Sequence, residues 1–375
     1  MSKTPRNRKR IRHDSPPGRA RLGKPVIAVS AGDPAGVGPE IVAHLFAKYK
    51  PARSVALLVG ARQVFRPWFE RFGCPLEELP VPSGGRGVGT LSLAAAAAIE
   101  TRLRTRGIPR VFTLDTGCRE RYSLGRDSKS GGRHAGIALE LVCHLAASGH
   151  IAGLVTAPIS KRSLGLAGYP FTGHTEMFSH FFDAPDCQMV MVHGKFRVVP
   201  LTRHLPLKDV SRALTVERVT VGLLAVAAAI KEDFGVVKPH LAVAGLNPHA
   251  GDGGIVGKEE IDVIVPAIKR VRRRGVRITG PVPGDALFQQ AETGEFDVFV
   301  SMYHDQGLIP FKLIAKRRGV NVTVGLPLVR TSVDHGVAYD IAGKGVANVA
   351  SLEAAYRLAE QLVNRRRVRA KGRRN

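Results

Sequence analysis

From Pro25 onward, short apolar runs rich in β-branched residues alternate with longer stretches of helical period. No other feature constrains the fold as much. Candidate strands are Val26–Ser30, Val55–Val59, Ile151–Thr156, Gln188–Val192, Arg197–Leu201, His240–Ala244, Val276–Thr279, Val298–Met302 and Val320–Val324. Between them the spacing predicts helices over Glu40–Lys48, Leu91–Arg104, His134–Ser148, Val216–Lys231, Glu259–Arg273 and Leu352–Asn364. Continuously apolar strands interleaved with helices indicate an α/β fold whose mostly parallel sheet is covered on both faces. The Gly-rich Ser83–Gly89 reads as a loop, and no repeat of fixed period occurs. A length of 375 residues suits two domains or one large one.

In such sheets, ligands gather where the carboxyl ends of strands lead into helices. Four polar, Gly/Pro-punctuated segments fall at those places: Gly32–Glu40, Ala157–Lys161, Gly245–Gly251 and Tyr303–Gly307. Four such strand ends in one chain suggest a constructed cleft.

The charge sits elsewhere. The chain has 56 Lys+Arg against 31 Asp+Glu, a net +25. Residues 1–24 hold nine Lys/Arg and one Asp, and residues 364–375 hold seven Lys/Arg and no acid, so residues 25–363 keep only +10. The ends read as basic tails, the first of them disordered, solvated and without specific nucleic-acid recognition. A salt-sensitive association with RNA or an anionic surface is the competing reading, and deleting both tails discriminates the two. With 44% apolar and 23% charged residues, collagenous and wholly disordered classes are excluded. No run of 18 apolar residues occurs, so no membrane insertion is expected. Asp14 and the Pro16-Pro17-Gly18 break argue against an organellar presequence. Cys74, Cys118, Cys143 and Cys187 form no CxxC, and reduced thiols in a cytoplasmic protein are the simple reading.

Histidines carry the most chemistry. His174, His204, His249 and His304 follow an apolar run or a glycine turn in polar surroundings. Neutral imidazoles bind divalent transition metals, and a site assembled from distant strand ends needs no short spacing. Singly, each could be an ordinary hydrogen-bonded histidine; as a group they suit a shared metal or substrate role. Anion recognition needs fixed cations, and Lys312, Asn321 and Arg330 lie in one apolar, Gly/Pro-punctuated stretch. On pattern alone, surface charge is an equal reading of Lys312 and Arg330. The first strand is not followed by GxGxxG, and Gly251–Lys258 has the wrong spacing for a Walker loop, with Glu259 in the Ser/Thr position. A bound dinucleotide would therefore need another loop. Asp334–Gly345 is the candidate, its small residues letting backbone donors approach; a plain loop before a helix is the alternative.

Two of these loops resemble those of the isocitrate and isopropylmalate β-decarboxylating dehydrogenases. Gly32–Glu40 stands where that group has Gly-Asp-Gly-Ile-Gly-Pro-Glu, and His335–Gly343 where it has the NAD-cradling His-Gly-Ser-Ala-Pro-Asp-Ile-Ala-Gly. A closer resemblance is to the 4-hydroxythreonine-4-phosphate dehydrogenase family of vitamin B6 synthesis. It covers about residues 25–363 and rests on Gly32–Ile41, Thr172–Glu176, His204–Leu207, Gly245–Gly254, Tyr303–Lys312 and Gly325–Gly336.

That resemblance implies two α/β/α domains with an active-site cleft between them. The first would comprise residues 25–133 and 285–363, and the second 134–284. It further implies a homodimer whose site draws on both subunits. His204, His249 and His304 would hold one divalent ion (Zn, Mg or Co). His174, Thr175, Lys312, Asn321 and Arg330 would contact the phosphorylated substrate. Lys312 and Asp285 would be the catalytic candidates, and His335, Gly336, Ala338 and Asp340 would contact NAD or NADP. The implied reaction is oxidation of the 3-hydroxyl of 4-phosphooxy-L-threonine followed by loss of CO2. The alternative is a 4-phospho-D-threonate or erythronate dehydrogenase of sugar-acid catabolism, which would share the metal histidines.

Overall fold

The computed structural model describes residues 24–79 and 111–372. The expected loop Ser83–Gly89, the helix Leu91–Arg104 and nearly all of the N-terminal tail lie outside the described residues. The chain divides into two compact units. One holds the residues up to Pro185 with Leu326–Asn364, and the other holds Asp186–Gly325 with the residues from Arg365 on.

In the first unit the strands β1 (Val26–Ser30), β2 (Val55–Gly60), β3 (Glu77–Leu79), β4 (Val111–Asp115), β5 (Gly153–Thr156) and β12 (Val329–Val333) lie in the order β3-β4-β2-β1-β5-β12. Their pairings are parallel throughout. All residues of β1, β2, β5 and β12 are buried, as two-sided helical cover requires. The helices here are α1 (Gly38–Lys48), α2 (Arg62–Arg71), α3 (Lys129–Ala147), α4 (Lys161–Leu166) and α5 (His174–Phe181). Helix α1 opens with Pro39, whose missing N–H costs nothing there, and with Glu40 in its first turn. Ser128 caps α3 by accepting the Gly131 N–H at 3.0 Å.

In the second unit β6 (Gln188–His193), β7 (Phe196–Pro200), β8 (His240–Ala244), β9 (Arg277–Val282), β10 (Val298–Ser301) and β11 (Val320–Val324) lie in the order β11-β6-β7-β10-β8-β9. Helices α6 (Leu207–Ala213), α7 (Val216–Glu232), α8 (Val265–Arg273), α9 (Gly284–Gln289) and α10 (His304–Ala315) accompany them. Met189, Val198, Ala242, Phe299 and Phe311 are central to its apolar core. Strands β7, β10, β8 and β9 are parallel, whereas β6 is antiparallel to both neighbours. Only Gly194 and Lys195 separate β6 from β7, which is too short for a crossover, and Gly194 supplies the positive φ (58°) of the hairpin.

Two expectations are corrected. Residues 134–185 belong to the first unit because β5 pairs with β1, and residues 285–325 to the second because β10 pairs with β7 and β8. The basic run from 364 is not a tail through its described length, since α11 (Ala350–Gly372) continues through it. Arg366 Nε lies 2.7 Å from Asp233 Oδ1, Arg369 Nη2 lies 3.0 Å from Glu232 Oε1, and Arg365 donates to the Phe234 carbonyl. The acids that end α7 thus neutralise cations that the sequence places far away. No single helix among the described residues is long and apolar enough to cross a membrane; α6 and α7 reach that length only as a pair bent by 92°.

Candidate active site

Three adjacent parallel strands of the second unit deliver the three histidines expected to hold a metal. His204 follows β7, His304 follows β10 and His249 follows β8, all at carboxyl ends and therefore at the same edge of the sheet. The His204 and His304 rings lie 6.0 Å apart between centroids. His304 Nδ1 is 2.6 Å from Asp305 Oδ1, which orients the ring and leaves Nε2 available.

Hydrogen bonds shape the turns that carry these rings. Gln306 accepts the Met302 N–H at 2.7 Å and donates to the Gly245 carbonyl at 2.6 Å, tying the His304 turn to the start of the His249 loop. Buried Glu260 accepts the N–H groups of Leu246 and Asn247 at 2.7 and 2.8 Å. His249, Ala250 and Asp252 have positive φ in that loop, a conformation that non-glycine residues adopt only where surroundings impose it. As placed, no three His, Cys, Asp or Glu side chains among the described residues converge on one point. The donor set fits a divalent ion in kind and by strand position, with His249 standing exposed on its loop.

Of the remaining expected residues in this unit, Asn321 lies on β11 with its Oδ1 buried and without a hydrogen-bond partner. Lys312 is exposed on α10, and Asp285 is exposed in the first turn of α9.

The first unit holds the anion-binding candidates. Arg330 sits within β12, not on a turn after a strand, and is 2% exposed. Its Nη2 donates to Thr156 Oγ1 at 2.7 Å, and its guanidinium lies 5.6 Å from the Phe178 ring centre. Phe178 stacks on His174, with ring centres 6.0 Å apart, and the His174 Nε2 is buried without a hydrogen-bond partner. Burial, and then the charge of Arg330, hold His174 well below its ordinary value, so the ring is neutral. Thr175 is buried in the first turn of α5. A buried guanidinium, an imidazole with an unpartnered nitrogen and a helix start are the kinds of group that anion recognition uses.

The loop expected to cradle a dinucleotide also lies in this unit. The Val37 N–H donates to the Val337 carbonyl at 2.9 Å, and buried Glu40 accepts the Ala347 N–H at 2.7 Å. His335, Gly336 and Asp340 are exposed. A Cβ at Gly336 would meet nothing within 4 Å, so its backbone is open to an approaching ligand. Ala338 has φ +48°.

A cluster beneath this loop went unread in the sequence. Tyr339 donates to Asp33 Oδ2 at 2.8 Å and also lies 3.1 Å from Asp127 Oδ1. Ser163 donates to Asp127 Oδ1 at 3.2 Å, and Ser160 donates to the same oxygen. Asp33 and Ser160 fall inside two of the strand-end segments, but no spacing rule pairs them with Asp127.

Residues 89–359 match the family described as pyridoxal phosphate biosynthetic protein PdxA. The chain belongs to the PdxA family. The 4-hydroxythreonine-4-phosphate dehydrogenase of Beijerinckia indica is 39% identical over 339 residues, 90% of this chain and 94% of that protein. A Bradyrhizobium diazoefficiens protein provisionally named a D-threonate 4-phosphate dehydrogenase is 38% identical, covering 90% of this chain and 96% of its own. The crystal structure of 4-hydroxythreonine-4-phosphate dehydrogenase from Klebsiella pneumoniae has a TM-score of 0.77 and 34% identity. It covers 92% of this chain and 99% of that chain. The α/β fold with a mostly parallel sheet is thus common to this PdxA member and a solved dehydrogenase.

Proposed function

We propose that this chain oxidises the 3-hydroxyl of 4-phosphooxy-L-threonine with NAD, or NADP, to 2-amino-3-oxo-4-phosphooxybutanoate. That β-keto acid then loses CO2 to give 3-amino-2-oxopropyl phosphate, in pyridoxal 5′-phosphate biosynthesis. The carrying observation is the buried Arg330 beside His174, whose Nε2 is buried without a hydrogen-bond partner, a pairing that supports anion binding there. The dehydrogenase names of relatives near 39% identity support the chemistry.

Arg330, His174 and Thr175 bind the phosphate in this reading. Asn321 offers its partnerless Oδ1 to a donor on the substrate, the amino group being the natural one. Held by His204, His249 and His304, a divalent ion (Zn, Mg or Co) supplies the charge that lowers the pKa of a hydroxyl and stabilises an enolate. Lys312 and Asp285 are the candidates for moving the hydroxyl proton. The Asp334–Gly345 loop, with His335, Gly336, Ala338 and Asp340, receives the dinucleotide, and the anchors hold the C3 hydrogen against it.

A homodimer fits the surface beside the histidines. Leu205 and Leu207 follow His204, Ile309 and Leu313 lie one turn apart on α10, and all four are exposed apolar side chains. A cytoplasmic setting fits the four free cysteines.

Turnover of purified chain with NAD, a divalent ion and 4-phosphooxy-L-threonine tests the reading, with 3-amino-2-oxopropyl phosphate identified by mass. Because one relative carries a D-threonate 4-phosphate name, 4-phospho-D-threonate is assayed beside it. A site that pairs the substrate amino group gives the amino acid the higher kcat/KM. The reverse ratio would move the assignment to the sugar-acid phosphate.

A further inference from the structure

The Asp334–Gly345 loop is tied to its own unit at both ends by backbone contacts. Ser351 Oγ accepts the Asp334 N–H at 3.1 Å, and the Val337 carbonyl accepts from Val37. Beyond the bend, Arg71 donates to the carbonyls of Gly343 and Lys344 at 3.3 and 3.1 Å. Between Val337 and Gly343 the chain must pass through Ala338 at φ +48° and a single short turn, Tyr339–Ile341. A left-handed alanine costs of order 1 kcal/mol and persists only where its neighbours hold it.

The Tyr339 ring is what reaches inward from that stretch. Its hydroxyl meets two carboxylates from different loops: Asp33, which follows β1, and Asp127, which precedes α3. Both acids are themselves fixed. Asp33 is fully buried and its Oδ1 accepts the Ala35 N–H at 2.9 Å; Asp127 accepts from Ser160 and Ser163. Small residues make room for this packing. A Cβ at Gly131 would lie 2.8 Å from Asp33 Oδ1, and one at Gly125 would lie 3.2 Å from the Tyr339 carbonyl. Such investment around one hydroxyl exceeds what an ordinary surface turn needs.

We propose that the Tyr339 hydroxyl, bound to Asp33 and Asp127, latches the Asp334–Gly345 loop in the shape that receives the dinucleotide. Tyr339 is thereby a positioning residue: it acts through the backbone of Ala338 to Ala342 and does not touch the reacting atoms. The latch rests on the reading of this loop as the cofactor site. It adds that cofactor affinity is set from beneath the loop by residues that no dinucleotide contacts. A charge-assisted hydrogen bond lost at the latch lowers the fraction of loop in the receptive shape, so the penalty falls on binding and not on hydride transfer.

The test uses the full chain with a divalent ion and three variants: Tyr339→Phe, Asp127→Asn and Tyr339→Phe combined with Ala338→Gly. Dissociation constants for NAD come from calorimetry, and amide exchange of the loop is followed without cofactor. Tyr339→Phe raises Kd and KM for NAD about tenfold. It speeds exchange at Ile341 and Ala342, whose N–H groups bond to Ala338 and Tyr339 carbonyls. It leaves kcat at saturating NAD, and KM for the phosphorylated substrate, within about twofold. Asp127→Asn follows with a smaller loss of NAD affinity. Adding Ala338→Gly recovers part of the affinity, because glycine takes the positive φ without strain. NAD binding and loop exchange unchanged in Tyr339→Phe would overturn the latch while sparing the cofactor reading. Failure of the unaltered chain to bind NAD at all would instead overturn the reading on which the latch rests.

Discussion

At the scale of single residues, two placements decide what the site can do. Arg330 is buried within a strand, where a guanidinium is costly unless an anion or fixed acceptors repay its desolvation. Arg330→Lys keeps the charge and loses the planar fork, so KM for the phosphorylated substrate should rise at least about tenfold while Tm shifts little. An equal loss in kcat with KM unchanged would place Arg330 outside substrate binding. His174 sets a pH dependence. Its folded value is depressed, so the native state refuses a proton that the unfolded chain accepts below about 6.5. Its stabilising contribution is therefore complete above that pH and is lost as pH falls below it. Burial depresses His44, His134, His144 and His240 in the same direction. Thermal unfolding should move to lower temperature between about pH 7.5 and pH 5.5, and His174→Asn should flatten that slope. At this scale the histidines after strands were legible in the sequence, because a polar residue following an apolar run stands out. Arg330 was visible as a charge but not as a buried one. The Tyr339 cluster was invisible, since it joins loops more than two hundred residues apart through side chains of ordinary type.

At the scale of elements, strand order does the assembling. The strands leading to His204, His304 and His249 are neighbours, and only their parallel pairing puts three loops at one edge. β-Branched runs made these strands legible to within about two residues. The exceptions are β3, which has three residues, β4, which was not anticipated, β9, which runs three residues beyond the expected end, and β12, whose apolar pattern Arg330 interrupts. The pairing of the basic end of α11 is not visible in the sequence because its partners, Glu232 and Asp233, lie more than a hundred residues earlier. Arg366→Ala leaves the 7%-exposed carboxylate of Asp233 without its ion pair. It should cost about 1–2 kcal/mol in chemical unfolding, with kcat unchanged. An unchanged unfolding midpoint would return this segment to the status of a solvated tail. Glu40 acts between elements, holding the Ala347 N–H, and Glu40→Ala should cost about 1–3 kcal/mol by leaving that buried donor unpaired.

For the whole molecule, the alternation of apolar strands and helices announced the α/β class, and the motif order announced the PdxA family that residues 89–359 match. The boundaries between units were less legible, because β5 and β10 find partners that chain order does not dictate. The charge of +25 said little about chemistry. Two cations of the C-terminal basic run, Arg366 and Arg369, are paired with Asp233 and Glu232, and Arg330 is a single buried cation. If the exposed leucines beside His204 and on α10 mark a homodimer seam, Leu313→Glu should shift the chain to monomer in light scattering and reduce turnover. The most direct test of the whole account is NADH formation by the full-length chain from 4-phosphooxy-L-threonine and NAD, with and without a chelator. The account predicts NADH that depends on that substrate, disappears with the chelator and returns with a divalent ion. No NADH from the metal-loaded protein, or turnover indifferent to chelation, would contradict it.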